Sequence, residues 1–426
     1  MKQYETYKDS GMKWLGLIPS HWEIKRLKYL ATCNDESLGE ETPKDLEINY
    51  VEIGDVDSVN GINQSTKYLF KDAPSRARRI TRFGDVIVST VRTYLKAIAQ
   101  IRQEDLIVST GFAVIRPKLG NSNFVSYSIM NDGFINEVIS KSYGISYPAI
   151  TATELMRLAV PFPPLAEQEA IVAFLDKKTG EIDDLVAQVE REIELLKEYK
   201  QSEIARVVTK GLNPNVPMKP SGISWIGDIP AHWNVRKLFQ VVTSYYESNK
   251  GLKNQNLLSL SYGSIIQKDI NKTDGLLPAS FETYQIVKPG IIILRLTDLQ
   301  NDHKSLRVGI SKYEGIITSA YEALKVREPN NSDYIYYQLH VNDIHKVFYG
   351  MGGGLRQNLN YDGMRYMLIV VPPVSEQEEI VNFITRKSLK IDHLVVELTN
   401  QVEYLKEYKQ RLIADVVTGK INVQPN

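Results

Sequence analysis

One cysteine, Cys33, stands in 426 residues. That excludes a disulfide framework and a cysteine-based zinc site, and it fits a reducing compartment. Long apolar runs are missing too: candidates such as Ile291 to Leu294 have the length of buried strands and fall far short of a membrane span. The opening residues Met1-Lys-Gln-Tyr-Glu are polar and carry no apolar signal core, so a cytoplasmic protein is expected. Net charge is absent as well, with 51 Lys+Arg against 51 Asp+Glu. This weighs against a nucleic-acid partner, because phosphate contacts need positive charge. The charge is segregated, however. Residues 31 to 57 hold nine acidic side chains and one lysine, whereas residues 76 to 118 hold nine basic and three acidic ones. A basic face can therefore coexist with a neutral total.

Catalytic signatures are lacking. No phosphate loop of the form GxxxxGK[ST] occurs, and Gly419-Lys420 has no upstream glycine. Neither a GxSxG elbow nor an HExxH helix is present, nor an Asn-Pro-Pro-Tyr-like motif for methylating a base amino group. The histidines His21, His232, His303, His340, His345 and His393 do not cluster at metal-ligand spacing. Gly350-Met-Gly-Gly-Gly354 is glycine-rich but does not clearly link a strand to a helix.

What the chain does have is a repeat. Ser10-Gly-Met-Lys-Trp-Leu-Gly-Leu-Ile-Pro-Ser-His-Trp22 returns as Ser221-Gly-Ile-Ser-Trp-Ile-Gly-Asp-Ile-Pro-Ala-His-Trp233. Pro163-Pro-Leu-Ala-Glu-Gln-Glu-Ala-Ile-Val-Ala-Phe174 returns as Pro372-Pro-Val-Ser-Glu-Gln-Glu-Glu-Ile-Val-Asn-Phe383, and Leu196-Lys-Glu-Tyr-Lys-Gln201 returns identically at Leu405 to Gln410. Two copies in one chain imply pseudo-twofold geometry and a partner with two comparable half-sites.

The plan is a lead-in segment (1–30), a mixed domain (31–163), a long helix (164–211), a linker with the repeated lead-in (212–241), a second mixed domain (242–371) and a second long helix (372–426). Short β-rich runs are expected at Ile48 to Ile53, Asp85 to Thr90, Ala97 to Ile101 and Phe112 to Ile115, with a helical stretch near Asn123 to Ser140. The second mixed domain resembles the first only loosely. Between Leu165 and Lys210 there is no proline and one glycine, Gly180. Ile182, Val186, Val189, Ile193, Leu196, Lys200, Glu203 and Val207 follow alternating spacings of four and three, a coiled-coil seam. Ile391, Val395, Leu398, Val402, Leu405, Lys409, Leu412 and Val416 occupy the same seam in the second copy, and the two most simply pair antiparallel. Ser375 and Glu378 read as a capping box opening the second helix; Ala166 makes the first start weaker.

The Trp14–Trp22 segment, the Pro163–Val172 segment and the two helices, doubled internally, resemble the specificity subunit of type I restriction–modification systems over almost the whole chain. The resemblance implies an α+β fold with two mixed target-recognition domains separated by two long antiparallel coiled-coil helices. It implies a non-catalytic subunit of a type I site-specific deoxyribonuclease and adenine-specific DNA methyltransferase complex. Each domain would read one half of a bipartite double-stranded DNA target. Two methyltransferase subunits would dock on the helices, and restriction/translocase subunits would join. S-adenosylmethionine, ATP and Mg2+ would belong to those partners.

Candidate DNA-contacting residues are Arg76, Arg78, Arg79 and Arg82, then Arg92, Tyr94 and Lys96 on a possible turn after a strand. The second domain offers Arg295, Lys304, Arg307 and Lys312, and after the glycine run Arg356, Gln357 and Asn358. Arginine suits bidentate contact to phosphate or guanine, though a solvated loop would look the same. The tryptophans Trp14, Trp22, Trp225 and Trp233 read as core, and Glu167-Gln168 and Glu376-Gln377 as complements to the helix dipole. The identical segments Lys197, Glu198, Tyr199, Lys200, Gln201 and Lys406, Glu407, Tyr408, Lys409, Gln410 are candidate partner-docking sites, since a merely solvated helix surface needs no identity. The rival readings are a stand-alone two-module DNA-binding protein and a protein-only coiled-coil scaffold.

Overall fold

A computed structural model of the chain describes residues 2–271, 278, 280–302, 306–351 and 358–424. It divides into two compact units. The first comprises Met1–Arg191 and Leu398–Asn426; the second is the continuous stretch Glu192–Glu397.

In the first unit two four-stranded sheets form the mixed domain. One has the order Ile98–Gln100, Val86–Ser89, Phe112–Pro117, Ala31–Cys33, and is antiparallel throughout. The other runs Thr66–Leu69, Glu47–Val51, Leu106–Ser109, Ala77–Ile80, with a parallel pairing at its centre. Strand alternation sends Ile87, Ala99 and Val114 toward Val51 and Val108 of the second sheet. Val86, Val88, Ala113 and Ile115 point the other way, against Val125, Ile129, Phe134 and Val138 of the helices Ser122–Met130 and Asp132–Ser140. The central strands are thus apolar on both faces, as a doubly covered sheet requires. Asn131 ends one helix and caps the next, so the expected single helical stretch is two.

The second unit repeats this strand order. Val308–Ile310, Ile292–Leu294, Glu322–Val326 and Val242–Ser244 make one sheet; Ser264–Lys268, Leu257–Ser261, Gly315–Ile317 and Gln285–Val287 make the other. Taken in chain order, each strand has its counterpart in the first unit, although the sequences align poorly. The first unit adds a small hairpin, Val56–Asp57 with Gly61–Ile62. The second replaces the helix pair with one helix, Ser332–Ile344.

Each mixed domain is followed by a long helix, Leu165–Lys210 and Val374–Val417. Within the first unit Asp183 pairs with Lys409 at 2.7 Å and Glu190 with Lys406 at 3.2 Å, one number rising as the other falls, so the helices run antiparallel. Within the second unit Lys200 pairs with Asp392 at 2.7 Å and Lys387 with Glu203, again antiparallel. The apolar seam residues Ile182, Val186, Val189, Ile193, Ile391 and Val402 are buried as the periodicity requires. The capping-box reading needs correction: the second helix begins at Val374, and the Pro373 carbonyl takes the first helical N–H bonds, from Glu376 and Gln377. Ser375 therefore lies inside the first turn. The first helix starts identically on Pro164, so the two starts do not differ in the way expected. Among the described residues no helix is long and apolar enough to cross a membrane.

One buried titratable group sets a pH dependence. His340, 6% exposed, lies in the second unit with its ring 5.7 Å from that of Tyr336. Burial, aided by the Lys200 charge, pushes its pKa down to about 4. The unfolded chain would bind a proton near pH 6.5 that the folded chain refuses. Stability contributed by the neutral ring is therefore full above about pH 6.5 and is lost as pH falls toward 4, by up to roughly 3 kcal/mol. Urea unfolding of His340→Gln between pH 7 and 4 should show a shallower acid loss than the parent; identical slopes would remove His340 as the cause.

Candidate nucleic-acid interface

The repeated motifs meet each other and fix each domain to its helix. Glu167, in the first turn of the long helix, accepts hydrogen bonds from the Trp22 indole Nε1 at 2.9 Å and the Tyr4 hydroxyl at 3.3 Å, and lies 2.6 Å from His21 Nε2. Glu376 repeats this with Trp233 at 2.9 Å and His232 at 2.8 Å. Trp22 and Trp233 are fully buried. The neighbouring glutamines are buried too. Gln168 donates to the Pro163 carbonyl and accepts the Asn121 backbone N–H at 2.8 Å; Gln377 donates to Pro372 and accepts from Asn331 at 2.8 Å. Asn121 and Asn331 are the N-caps of the first helices of their domains. Helix-dipole complementarity alone thus understates these residues: they form a latch between lead-in segment, domain and long helix. The core reading of Trp22 and Trp233 agrees with their burial. Trp14 packs edge-on to Phe134, and Trp225 stacks on His345, centroids 4.6 Å apart.

With the domain so held, the first unit presents a cleft of about 600 Å³ lined by Tyr50, Glu52, Arg76, Arg92, Ser109 and Tyr147, over apolar Ile53, Val91 and Leu95. Arg92 takes a left-handed backbone conformation (φ 51°) before the short turn Thr93–Leu95, and its guanidinium lies 4.8 Å from the centre of the Tyr147 ring. Burial raises the pKa of the Tyr50 hydroxyl, against a hydrogen bond from Ser109, so it stays a neutral donor and acceptor. Two guanidiniums, one carboxylate and neutral hydroxyls around an aromatic face are a set that can contact phosphates and base edges.

The arginine cluster needs correction. Ala77–Ile80 is a strand, not a solvated loop, so its side chains diverge. Arg78 lies over the Phe70 ring at 4.7 Å. Arg79 is half-buried and pairs across the sheet with Val108. Arg82 is tied to the Glu36 carboxylate through two nitrogens. Of the four, Arg76 is the one in the cleft. The expected turn is present: Tyr94 is exposed, and Lys96 pairs with Asp132 at 3.2 Å.

In the second unit Arg307 must be set aside as a DNA contact. It is fully buried and donates to the carbonyls of Arg295, Thr297, Asp298 and Asp302 and to the Tyr349 hydroxyl. Arg295 is half-buried and Lys312 exposed, while the Asn358 side chain accepts the Asp298 backbone N–H at 2.9 Å. Lys304, Arg356 and Gln357 lie outside the described residues, as do Gly352, Gly353 and Gly354 of the glycine run.

The identical helical segments have an intrachain explanation in part. Lys200 and Lys409 occupy equivalent positions and bind equivalent aspartates, Asp392 and Asp183. Lys406 pairs with Glu190, Lys197 with Glu194, and Gln410 donates to the Ser58 carbonyl at 3.0 Å. Polar residues within a seam fix its register, so identity here follows from helix pairing. Gln201 is half-buried; Glu198, Tyr199, Glu407 and Tyr408 remain exposed, Tyr199 accepting a hydrogen bond from Lys387. Tyr147, Glu52, Tyr50 and Ser109 had escaped the sequence reading. Nothing local marks them, because their assembly depends on pairings between distant strands.

A family model described as "Type I restriction modification DNA specificity domain" matches residues 19–195. The "Putative type I restriction enzyme MjaX specificity subunit" of Methanocaldococcus jannaschii is 23% identical over 459 aligned positions, covering 99% of each chain. The type I restriction enzyme EcoBI specificity subunit of Escherichia coli is 19% identical, covering 87% of this chain and 86% of that one. A solved chain described under "Structural basis underlying complex assembly and conformational transition of the type I R-M system" superposes with a TM-score of 0.66 at 21% identity, over 95% of this chain and 99% of that one, and so shares the fold.

Proposed function

Because the chain belongs to the family of type I restriction–modification DNA specificity subunits, we propose that it reads an asymmetric bipartite DNA sequence, one half through each mixed domain. The observation that carries this is the pair of latches: each holds a domain of the same strand order to its own long helix, while the candidate reading residues differ. Two methyltransferase subunits dock on the helices, the exposed pairs Glu198-Tyr199 and Glu407-Tyr408 offering them equivalent contacts, and restriction/translocase subunits join through them. S-adenosylmethionine, ATP and Mg2+ are held by those partners. In the second domain Arg295, Lys312 and Asn358 stay candidates for DNA contact. Methylome sequencing of a host carrying the complete system tests the reading. Two dissimilar modified half-sites are expected; a palindromic site would overturn it.

The first cleft supplies a sharper expectation. Replacing Arg76 and Arg92 together by alanine should weaken DNA binding by the assembled complex. The slope of log affinity against log salt should fall by about one for each phosphate that the arginines no longer neutralise. Competition binding at several salt concentrations measures both. An unchanged affinity and slope would mean the cleft does not face DNA.

A further inference from the structure

We propose that Ile145 is a wedge that enters the base stack of bound duplex DNA; this rests on the DNA-reading function above. The loop that carries it is closed at its base by two hydrogen bonds, Tyr143 N–H to the Ala149 carbonyl and Ala149 N–H to the Tyr143 carbonyl, each 2.9 Å. Ala149 also bridges to Val91, and the Ile150 N–H donates to the Thr90 carbonyl at 2.9 Å. The base of the loop is thus stitched to the turn that carries Arg92. The loop itself is tight. Gly144 sits at φ +114°, where a Cβ would lie 3.1 Å from the Tyr147 carbonyl oxygen.

On this anchored base the side chains do what a soluble surface normally avoids. Ile145 is 104% exposed, and Tyr143 and Tyr147 flank it at 71% and 64%. Tyr94 and Leu95, on the neighbouring turn, are exposed as well. Clustered exposed apolar side chains mark a surface that is covered in use. The charge beside them says by what. Arg92 lies over the Tyr147 ring, and Arg76 lines the same cleft, so Tyr147, two residues from the apolar tip, shares its cleft with two guanidiniums suited to phosphates. An aliphatic tip next to arginines is the composition with which proteins part a base step: the side chain enters the stack while the cations hold the backbone, and the duplex kinks. A protein partner would have no comparable need for the arginines.

The test uses the chain assembled with its partner subunits and a duplex carrying the methylome-derived target. 2-Aminopurine is placed in turn at each position of each half-site, omitting the adenines that become methylated. Binding of the parent should raise fluorescence at one step within a single half-site. Ile145→Ala should abolish that rise, weaken binding roughly tenfold and leave the salt slope unchanged, since no phosphate contact is removed. Ile145→Leu should retain the signal. No fluorescence rise at any step, with Ile145→Ala binding as tightly as the parent, would overturn the wedge while leaving the recognition function standing. A parent complex that fails to prefer its target duplex would instead overturn the recognition function. Ile145→Ala losing partner subunits in the absence of DNA would show that protein covers the loop, and would likewise overturn the wedge.

Discussion

Trp233→Ala should destabilise the second unit by about 3–5 kcal/mol, the range for truncating a buried aromatic in a core. The indole is fully buried, in one apolar cluster with Val207, Val208 and Ile380 of the long helices and Ile229 and Leu238 of the lead-in segment. Its removal leaves a cavity that these rigid elements cannot jointly fill. It also takes the indole N–H donor from Glu376. Urea or thermal unfolding of the full chain reads the effect. Trp225→Ala is the internal comparison: that ring is half-buried and stacks on His345, so its loss should be the smaller. Equal losses for the two would show that the latch contributes nothing special.

Arg307→Met should also cost about 3–5 kcal/mol, because it takes the shared donor from several carbonyls at once. Methionine fills much of the volume but donates nothing. The carbonyls of Arg295, Thr297, Asp298 and Asp302 would then face a dry interior without their donor, each a desolvation cost of about 1–3 kcal/mol unless water enters. Arg307→Lys keeps the charge but not the planar fork that reaches several acceptors at once, so an intermediate loss is expected. The measurement is again unfolding, paired with DNA binding by the assembled complex. A stable Arg307→Met protein with weakened DNA binding would reverse the assignment and make Arg307 a contact after all.

Arg307 shows where sequence reading stops. A charged side chain between polar neighbours looks like surface, and only the fold reveals backbone carbonyls converging on it. The arginines at 76 to 82 mislead for a related reason: strand alternation separates side chains that are adjacent in the chain. The long helices were legible because their seam is local and periodic; Ile182 through Ile193 are buried where the spacing put them. The repeated His-Trp and Glu-Gln motifs were legible as repeats, but not as partners. About 145 residues separate Trp22 from Glu167, and no local pattern encodes that contact. The shared strand order of the two domains was hidden for the opposite reason. Alternating apolar strands of the same topology can be built from very different residues, so the fold persisted where the alignment faded.

The division of the chain has a consequence for the order of its synthesis. The second unit is one uninterrupted stretch, Glu192–Glu397, and can close once that stretch has left the ribosome. The first cannot. Its helical seam needs Lys406 and Lys409, and its lead-in segment is tied at the far end of the chain by the Tyr7 hydroxyl on the Gly419 carbonyl and the Lys2–Asn422 bridge. The part made first is therefore finished last. Until the segment from Leu398 onward emerges, the apolar face of its helix from Ile182 to Val189 waits uncovered by its own partner segment. Premature termination before Leu398 thus strikes the N-terminal unit, although every residue of its mixed domain has already been made.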